Sequence, residues 1–194
     1  MSRAAARSHP ATLADLLARP EGDRCEHVAG ELVPKEASSA LHGVAQGALF
    51  AQLAPFRRRP GGPPERPGGW WFAVEALVEL ATDEVRRPDV AGWRRERLAT
   101  LPAEAPVRVV PDWICEVLSP SNASTDTIEK MSLYHRARVG HHCLLDPRDR
   151  TLAVHRWHAD GSLRVLGARA GERVHAEPFE AIALSMDALF GDEE

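Results

Sequence analysis

The most apolar stretch of the chain, Arg108–Leu118, carries a glutamate near its end: Trp113-Ile114-Cys115-Glu116-Val117-Leu118. A segment apolar on both of its alternating faces predicts a central strand covered from both sides. A carboxylate at Glu116 is then withdrawn from water, which costs free energy unless it is paired or bound to a metal. Whatever fold the chain adopts must bring a compensating charge to that point. A second acid has a similar setting. Arg87–Trp93 predicts a shorter strand with Asp89 near its start. Adjacent strands lie about 4.8 Å apart, so two carboxylates at matched height can share one ion.

Asp112 follows a proline, as Asp89 does, but it lies four residues before Glu116 on the same strand. Four strand steps separate the two by about 13 Å, too far to hold one metal, and Asp112 reads as a strand start. Phosphodiester hydrolysis uses a hard divalent cation with oxygen ligands, and Asp89 and Glu116 are the candidate metal ligands.

Of 24 lysines and arginines, two are lysine, Lys35 and Lys130, which leaves 24 − 2 = 22 arginines. Where arginine serves for ordinary positive charge, a lysine points to the chemistry of a compact ammonium on a flexible stem. Lys130 falls in the first turn of a helix predicted over Asp126–Val139, directly after the Glu116 strand. Two roles fit it. One is a surface pair with Asp126, worth a few tenths of a kcal/mol. The other is an ammonium facing the two acids, placed to stabilise charge on an attacked phosphate. Asp126 fits a helix N-cap with Glu129 as its capping-box partner. Tyr134 is one turn on from Lys130, where it would orient that lysine or fill the core. Glu31 and His42, ahead of and opening the first long helix, fit either support of a metal or ordinary surface roles.

The rest of the chain supplies the frame. Thr12–Arg19 predicts a short helix with Thr12 as its cap, and Cys25–Val33 a hairpin turning at Ala29-Gly30. Ser38–Phe56 has helical periodicity. Trp70–Leu80, Cys143–Asp146, Leu152–His158 and Leu163–Leu166 predict strands, the last two joined at Asp160-Gly161. Met186–Phe190 predicts a closing helix. Helix, strands, helix, strands is the order of an α/β or α+β protein, expected as a single domain over residues 1–194. Arg57, Arg58 and Arg59 open a Pro- and Gly-rich loop, which is either a solvated loop or a phosphate-contacting one.

Composition narrows the function. Hydrophobic residues are 44% and charged residues 27%, as in ordinary globular proteins. The net charge of −4 argues against non-specific binding of long nucleic acid, but leaves open a nuclease whose basic residues cluster locally. Three scattered cysteines do not make a disulfide framework, and His141, His142 and Cys143 lack a fourth ligand for zinc. With neither a membrane-length apolar run nor a secretory leader in view, a reducing cytoplasm is expected.

Several of these blocks together resemble a known family. Arg87-Pro88-Asp89-Val90, Cys115-Glu116-Val117-Leu118-Ser119-Pro120-Ser121, Asp126 to Lys130 with Tyr134, and Leu145-Asp146-Pro147 look like the Uma-type family of "putative restriction endonucleases" in the PD-(D/E)XK nuclease superfamily. Glu26 to Leu32 and His42 are similar to that family's opening. The resemblance implies a restriction-endonuclease-like core, a mixed β-sheet flanked by helices. It implies an active triad of Asp89, Glu116 and Lys130, with the lysine displaced to the helix from the position that Leu118 occupies. Magnesium or manganese is the implied cofactor and nucleic acid, expected as DNA, the substrate of a metal-dependent endonuclease. A homodimer is expected by analogy. The alternative on the same fold is a catalytically inactive module that binds nucleic acid or protein. One departure stands out: His142-Cys143 replaces the aromatic pair that the family has before its Leu-x-Asp-Pro strand.

Overall fold

The structure, a computed structural model, describes residues 9–20, 22–35, 37–119 and 125–192. Helix α1 (Leu13–Leu17) opens on a capping box in which the Thr12 and Asp15 side chains each accept from the other's backbone N–H. Strands β1 (Cys25–Val28) and β2 (Glu31–Pro34) form the expected hairpin. Its turn residues, Ala29 and Gly30, both have positive φ (48° and 82°), which matches the twist of a tight two-residue turn. Helix α2 (Ala40–Gln52) follows, capped by the Ser39 hydroxyl, which accepts from the His42 N–H.

Next come β3 (Trp70–Val74), β4 (Val78–Ala81), β5 (Glu84–Arg86), β6 (Val90–Arg94) and β7 (Trp113–Val117). Helix α3 (Thr125–Arg136) leads into β8 (His141–Asp146), β9 (Thr151–His158) and β10 (Gly161–Arg169). After two short strands, the described chain closes with helix α4 (Met186–Leu189). Among the described residues no helix is long and apolar enough to cross a membrane.

The main sheet has six strands in the order β10-β9-β8-β7-β6-β3. All its neighbours are antiparallel except β7 and β8, which α3 joins by a crossover and which are parallel. The sheet is therefore mixed and flanked by helices, as the family resemblance implies. Strand β7 is fully buried, and its side chains alternate between two cores. Trp113, Cys115 and Val117 join Ala45, Leu49 and Leu53 of α2 on one face. Ile114 joins Leu133 and Tyr134 of α3 on the other. Glu116 lies two residues from Ile114 and so shares the α3 face.

A second sheet, β2-β1-β5-β4, stands beside the first. The stretch Trp70–Leu80, expected as one strand, is in fact split between the two sheets. The break is at Glu75, a non-glycine residue at φ 53°. Apolar residues are needed on both sides of the break, so the alternation runs on and conceals it. The expected strand Arg87–Trp93 also starts later, because β5 ends at Arg86 and Asp89 lies in the bend before β6. Strand β7 is shorter than Arg108–Leu118: the backbone pairs with β6 only from Trp113 onward.

Candidate active site

The register of β6 on β7 sets the site. Val90 pairs with Cys115 and Ala91 with Ile114, so one further step puts Asp89 across from Glu116. Directly opposed residues of an antiparallel pair share a face and stand about 5 Å apart.

Asp89 is 1% exposed and every one of its oxygens is engaged. Its Oδ2 accepts from the Val117 N–H at 2.7 Å. Its Oδ1 accepts from Lys35 Nζ at 2.7 Å, with His42 Nε2 3.3 Å away. Its carbonyl accepts from Gln46 Nε2 of α2 at 2.8 Å. Burial pushes the carboxyl up, but the His42 ring beside it and the Lys35 ammonium outweigh it and hold the group down at about 2.

Glu116 is 5% exposed. Lys130 Nζ lies 3.3 Å from its Oε2, and the Tyr134 hydroxyl donates to Oε1. Here burial wins. It lifts the Glu116 carboxyl to about 7, with the Asp89 charge adding to the rise and Lys130 opposing it. The two acids are thus driven apart: Asp89 is fixed as an anion while Glu116 stands ready to gain or lose a proton near neutrality. Tyr134, buried beside that carboxyl, is pushed well above the ordinary phenol range.

The same six side chains, Lys35, His42, Asp89, Glu116, Lys130 and Tyr134, line a cavity of about 60 Å³. A single water needs about 10–15 Å³ on this scale, so a partly hydrated ion has room. Among the described residues, no group of three or more His, Cys, Asp and Glu side chains is gathered to hold a metal by itself. Magnesium does not need one, since one or two carboxylates, waters and substrate phosphate oxygens complete its shell. Neither ring nitrogen of His42 makes a hydrogen bond of good geometry among the described residues, although Nε2 lies 3.3 Å from Asp89 Oδ1. The donor set, two buried carboxylates lining one cavity with no thiolate beside them, fits the oxygen preference of a hard divalent cation.

Of the sequence candidates, Asp89, Glu116, Lys130, Tyr134 and His42 converge on this cavity. Glu31 does not. It is exposed on β2, across from Val28, and lines a separate cleft with Ala11 and Pro34. The buried acid of that hairpin is Glu26, 6% exposed, whose Oε1 accepts from the Arg87 N–H at 2.7 Å. It thereby orders the approach to Asp89. The Asp126 side chain and the segment Pro120–Ser124 lie outside the described residues.

Arg57 stacks over the Phe50 ring at 4.5 Å, and its carbonyl accepts from Arg95 at 2.7 Å. Arg95 directly follows β6, so this anchor sits at the end of the strand remote from Asp89. Six residue steps separate Arg95 from Asp89, about 20 Å of extended chain, and none of Arg57, Arg58 and Arg59 lines the cavity. Asp112 has the structural place expected of it, accepting from the Arg94 N–H at 2.8 Å and from Arg97 at 2.6 Å. Asp146 likewise caps its own turn through the Arg148 and Asp149 N–H groups.

His142 and Cys143 are both buried. His142, 1% exposed, stacks on His155 with ring centroids 4.8 Å apart. Cys143 Sγ accepts from the Trp113 indole N–H at 3.1 Å.

The residue that sequence reasoning missed is Lys35. The signal was present: both lysines of an arginine-rich chain stand at the cavity, one on each carboxylate.

A mixed sheet with two buried acids facing each other across β6 and β7, and a lysine supplied by the crossover helix, defines a restriction-endonuclease-like protein. The model of the Uma2 family, described as "putative restriction endonuclease", matches residues 11–187, and the chain belongs to that family. Among solved structures it is similar to a "putative nuclease belonging to DUF820" from Anabaena variabilis ATCC 29413. The TM-score is 0.71 at 20% identity, over 93% of this chain and 98% of that one. The comparison with curated proteins gave no match.

Proposed function

We propose that the chain is a metal-dependent endonuclease that hydrolyses phosphodiester bonds of DNA. The observation that carries this reading is the pair of buried carboxylates on one cavity, each held by its own lysine. Asp89 and Glu116 are the residues that would hold the divalent ion, magnesium or manganese. Bound there, the ion would polarise the phosphate and lower the pKa of a ligated water.

The protein's own groups have distinct tasks. Asp89, fixed as an anion, supplies permanent negative charge to the cation site. Glu116, lifted to about 7 by burial in the metal-free protein, would be held as an anion by a bound cation and supply the second carboxylate ligand. The Lys130 ammonium, 3.3 Å from Glu116, would stabilise negative charge as it builds on the attacked phosphate. Tyr134 anchors Glu116 from behind. The basic residues Arg57, Arg58 and Arg59 would contact backbone phosphates further along the strand, and a homodimer would allow both strands of a duplex to be cut.

The test is cleavage of supercoiled plasmid DNA by purified protein with magnesium or manganese. Nicking is expected, and Lys130→Ala should lower it by 100-fold or more while thermal unfolding stays that of a folded protein. Equal behaviour of both proteins on DNA and on RNA would remove Lys130 from the reaction.

A further inference from the structure

Lys35 has no assigned task, yet it makes a close, charged contact in the cavity. Its Nζ donates to Asp89 Oδ1 at 2.7 Å and to the Arg87 carbonyl at 2.8 Å, with a side chain 12% exposed. The remaining Asp89 oxygen is occupied by the Val117 amide. The ammonium therefore occupies one carboxylate oxygen of an acid that lines the cavity, where its charge would compete with a cation bound there. A second acceptor is close: Glu75 Oε1 is 3.9 Å from the same nitrogen. Glu75 is kept in place by an ion pair with Arg24 and by its left-handed backbone at φ 53°. The four-carbon stem of a lysine is flexible enough to swing its charge over such a distance.

We propose that Lys35 is a displaceable internal counter-ion. Without metal it neutralises Asp89 and keeps the acid ordered in a buried place. On metal binding its ammonium gives up Oδ1 and turns to Glu75, keeping its bond to the Arg87 carbonyl. Lys35 and the divalent ion thus compete for one oxygen, and Lys35 sets the metal concentration at which the site fills. Lys130 differs, because it lies on Glu116 and belongs to the helix that follows. This inference rests on the metal-binding reading of Asp89 and Glu116.

Calorimetric titration with manganese tests it without reference to activity. Lys35→Met removes the charge, and Lys35→Gln removes it while keeping a donor for the Arg87 carbonyl. Either should bind manganese about tenfold or more tightly than the unaltered protein, since a like charge within bonding range of the ion is gone. Glu75→Gln deprives the ammonium of its second acceptor and should weaken binding by a similar factor. Unchanged or weaker binding in both Lys35 variants, with manganese still bound by the unaltered protein, overturns the competition and leaves the metal site standing. Equal heats for the unaltered protein and Asp89→Asn would instead sink the metal site itself. A manganese-soaked crystal of the unaltered protein supplies a second measurement. Lys35 Nζ should have left Asp89, and an ammonium still on Oδ1 beside a bound ion refutes the swing.

Discussion

At the scale of single residues, the site is a problem in charge placement that the protein solves by giving each acid a different set of neighbours. Glu116 is the most sensitive point of that solution, because its proton affinity hangs on few contacts. Tyr134→Phe takes the hydroxyl away from a buried carboxyl oxygen. The cost should be about 1–3 kcal/mol by chemical denaturation, and the Glu116 carboxyl should move further up. A smaller loss with no change in the proton affinity of the site would show that the hydroxyl contributes nothing there.

The pH dependence of stability separates two groups of opposite sign. Glu116 rises from 4.5 to about 7 on folding, so the native state holds more protons between those values. Its stabilising contribution is complete below pH 4.5 and is lost as the pH climbs through 7. His142 falls from 6.5 to about 4, driven first by burial and then by the neighbouring His155. Its contribution is present above pH 6.5 and is lost as the pH drops through 4. In metal-free protein, Glu116→Gln should gain on the unaltered chain as pH rises from about 4.5 to 7. His142→Phe, which keeps a ring on His155, should gain on it as pH falls from about 6.5 to 4. Denaturation curves at a series of pH values that run parallel for all three proteins would contradict both assignments.

At the scale of elements, strand pairing does most of the positioning. Gly92 stands opposite both Phe72 of β3 and Trp113 of β7. A Cβ there would meet the Phe72 ring at 3.0 and 3.1 Å and the Trp113 ring at 3.3 Å. Those rings pack edge to face in the same core, and Phe179 lies against both. Gly92→Ala should therefore destabilise by about 1–3 kcal/mol through overpacking, read as an earlier denaturation midpoint. It should also weaken metal binding, since β6 carries the register that sets Asp89 against Glu116.

Much of this was legible in the sequence for physical reasons. Glu116 announced itself because an acid in a doubly apolar strand is costly, and Asp112 could be set aside by the rise per residue alone. Thr12 and the Ala29-Gly30 turn were readable because caps and tight turns depend on local chemistry. What could not be read was set by contacts distant in sequence. Glu75 breaks a strand without a glycine or proline to mark it. Lys35 reaches Asp89 across 54 positions, with no periodicity to announce the meeting. Glu26 rather than Glu31 faces inward, because the side sheet decides which side of the hairpin is covered.

At the scale of the whole molecule, the cavity draws on residues from the β2–α2 connection, the bend before β6, the end of β7 and helix α3. The two acids sit where the main sheet, the side sheet and both long helices meet. Strand β7 has partners on both sides and a core on each face, so Glu116 lies in the segment with the most to lose on opening.

The distribution of lysine has a practical consequence. The chain's 22 arginines do not react with acylating reagents aimed at primary amines, and its lysine side chains are only 12% and 15% exposed. Such a reagent can address the terminal amine and otherwise nothing but the two ammonium groups within the cavity. Intact-mass spectra should show the terminal adduct forming first. Lys35 and Lys130 should acquire theirs slowly in the native protein and fast in denaturant. A tag read by mass thus becomes a stopwatch for the opening of this one place, with a surface that stays chemically silent around it.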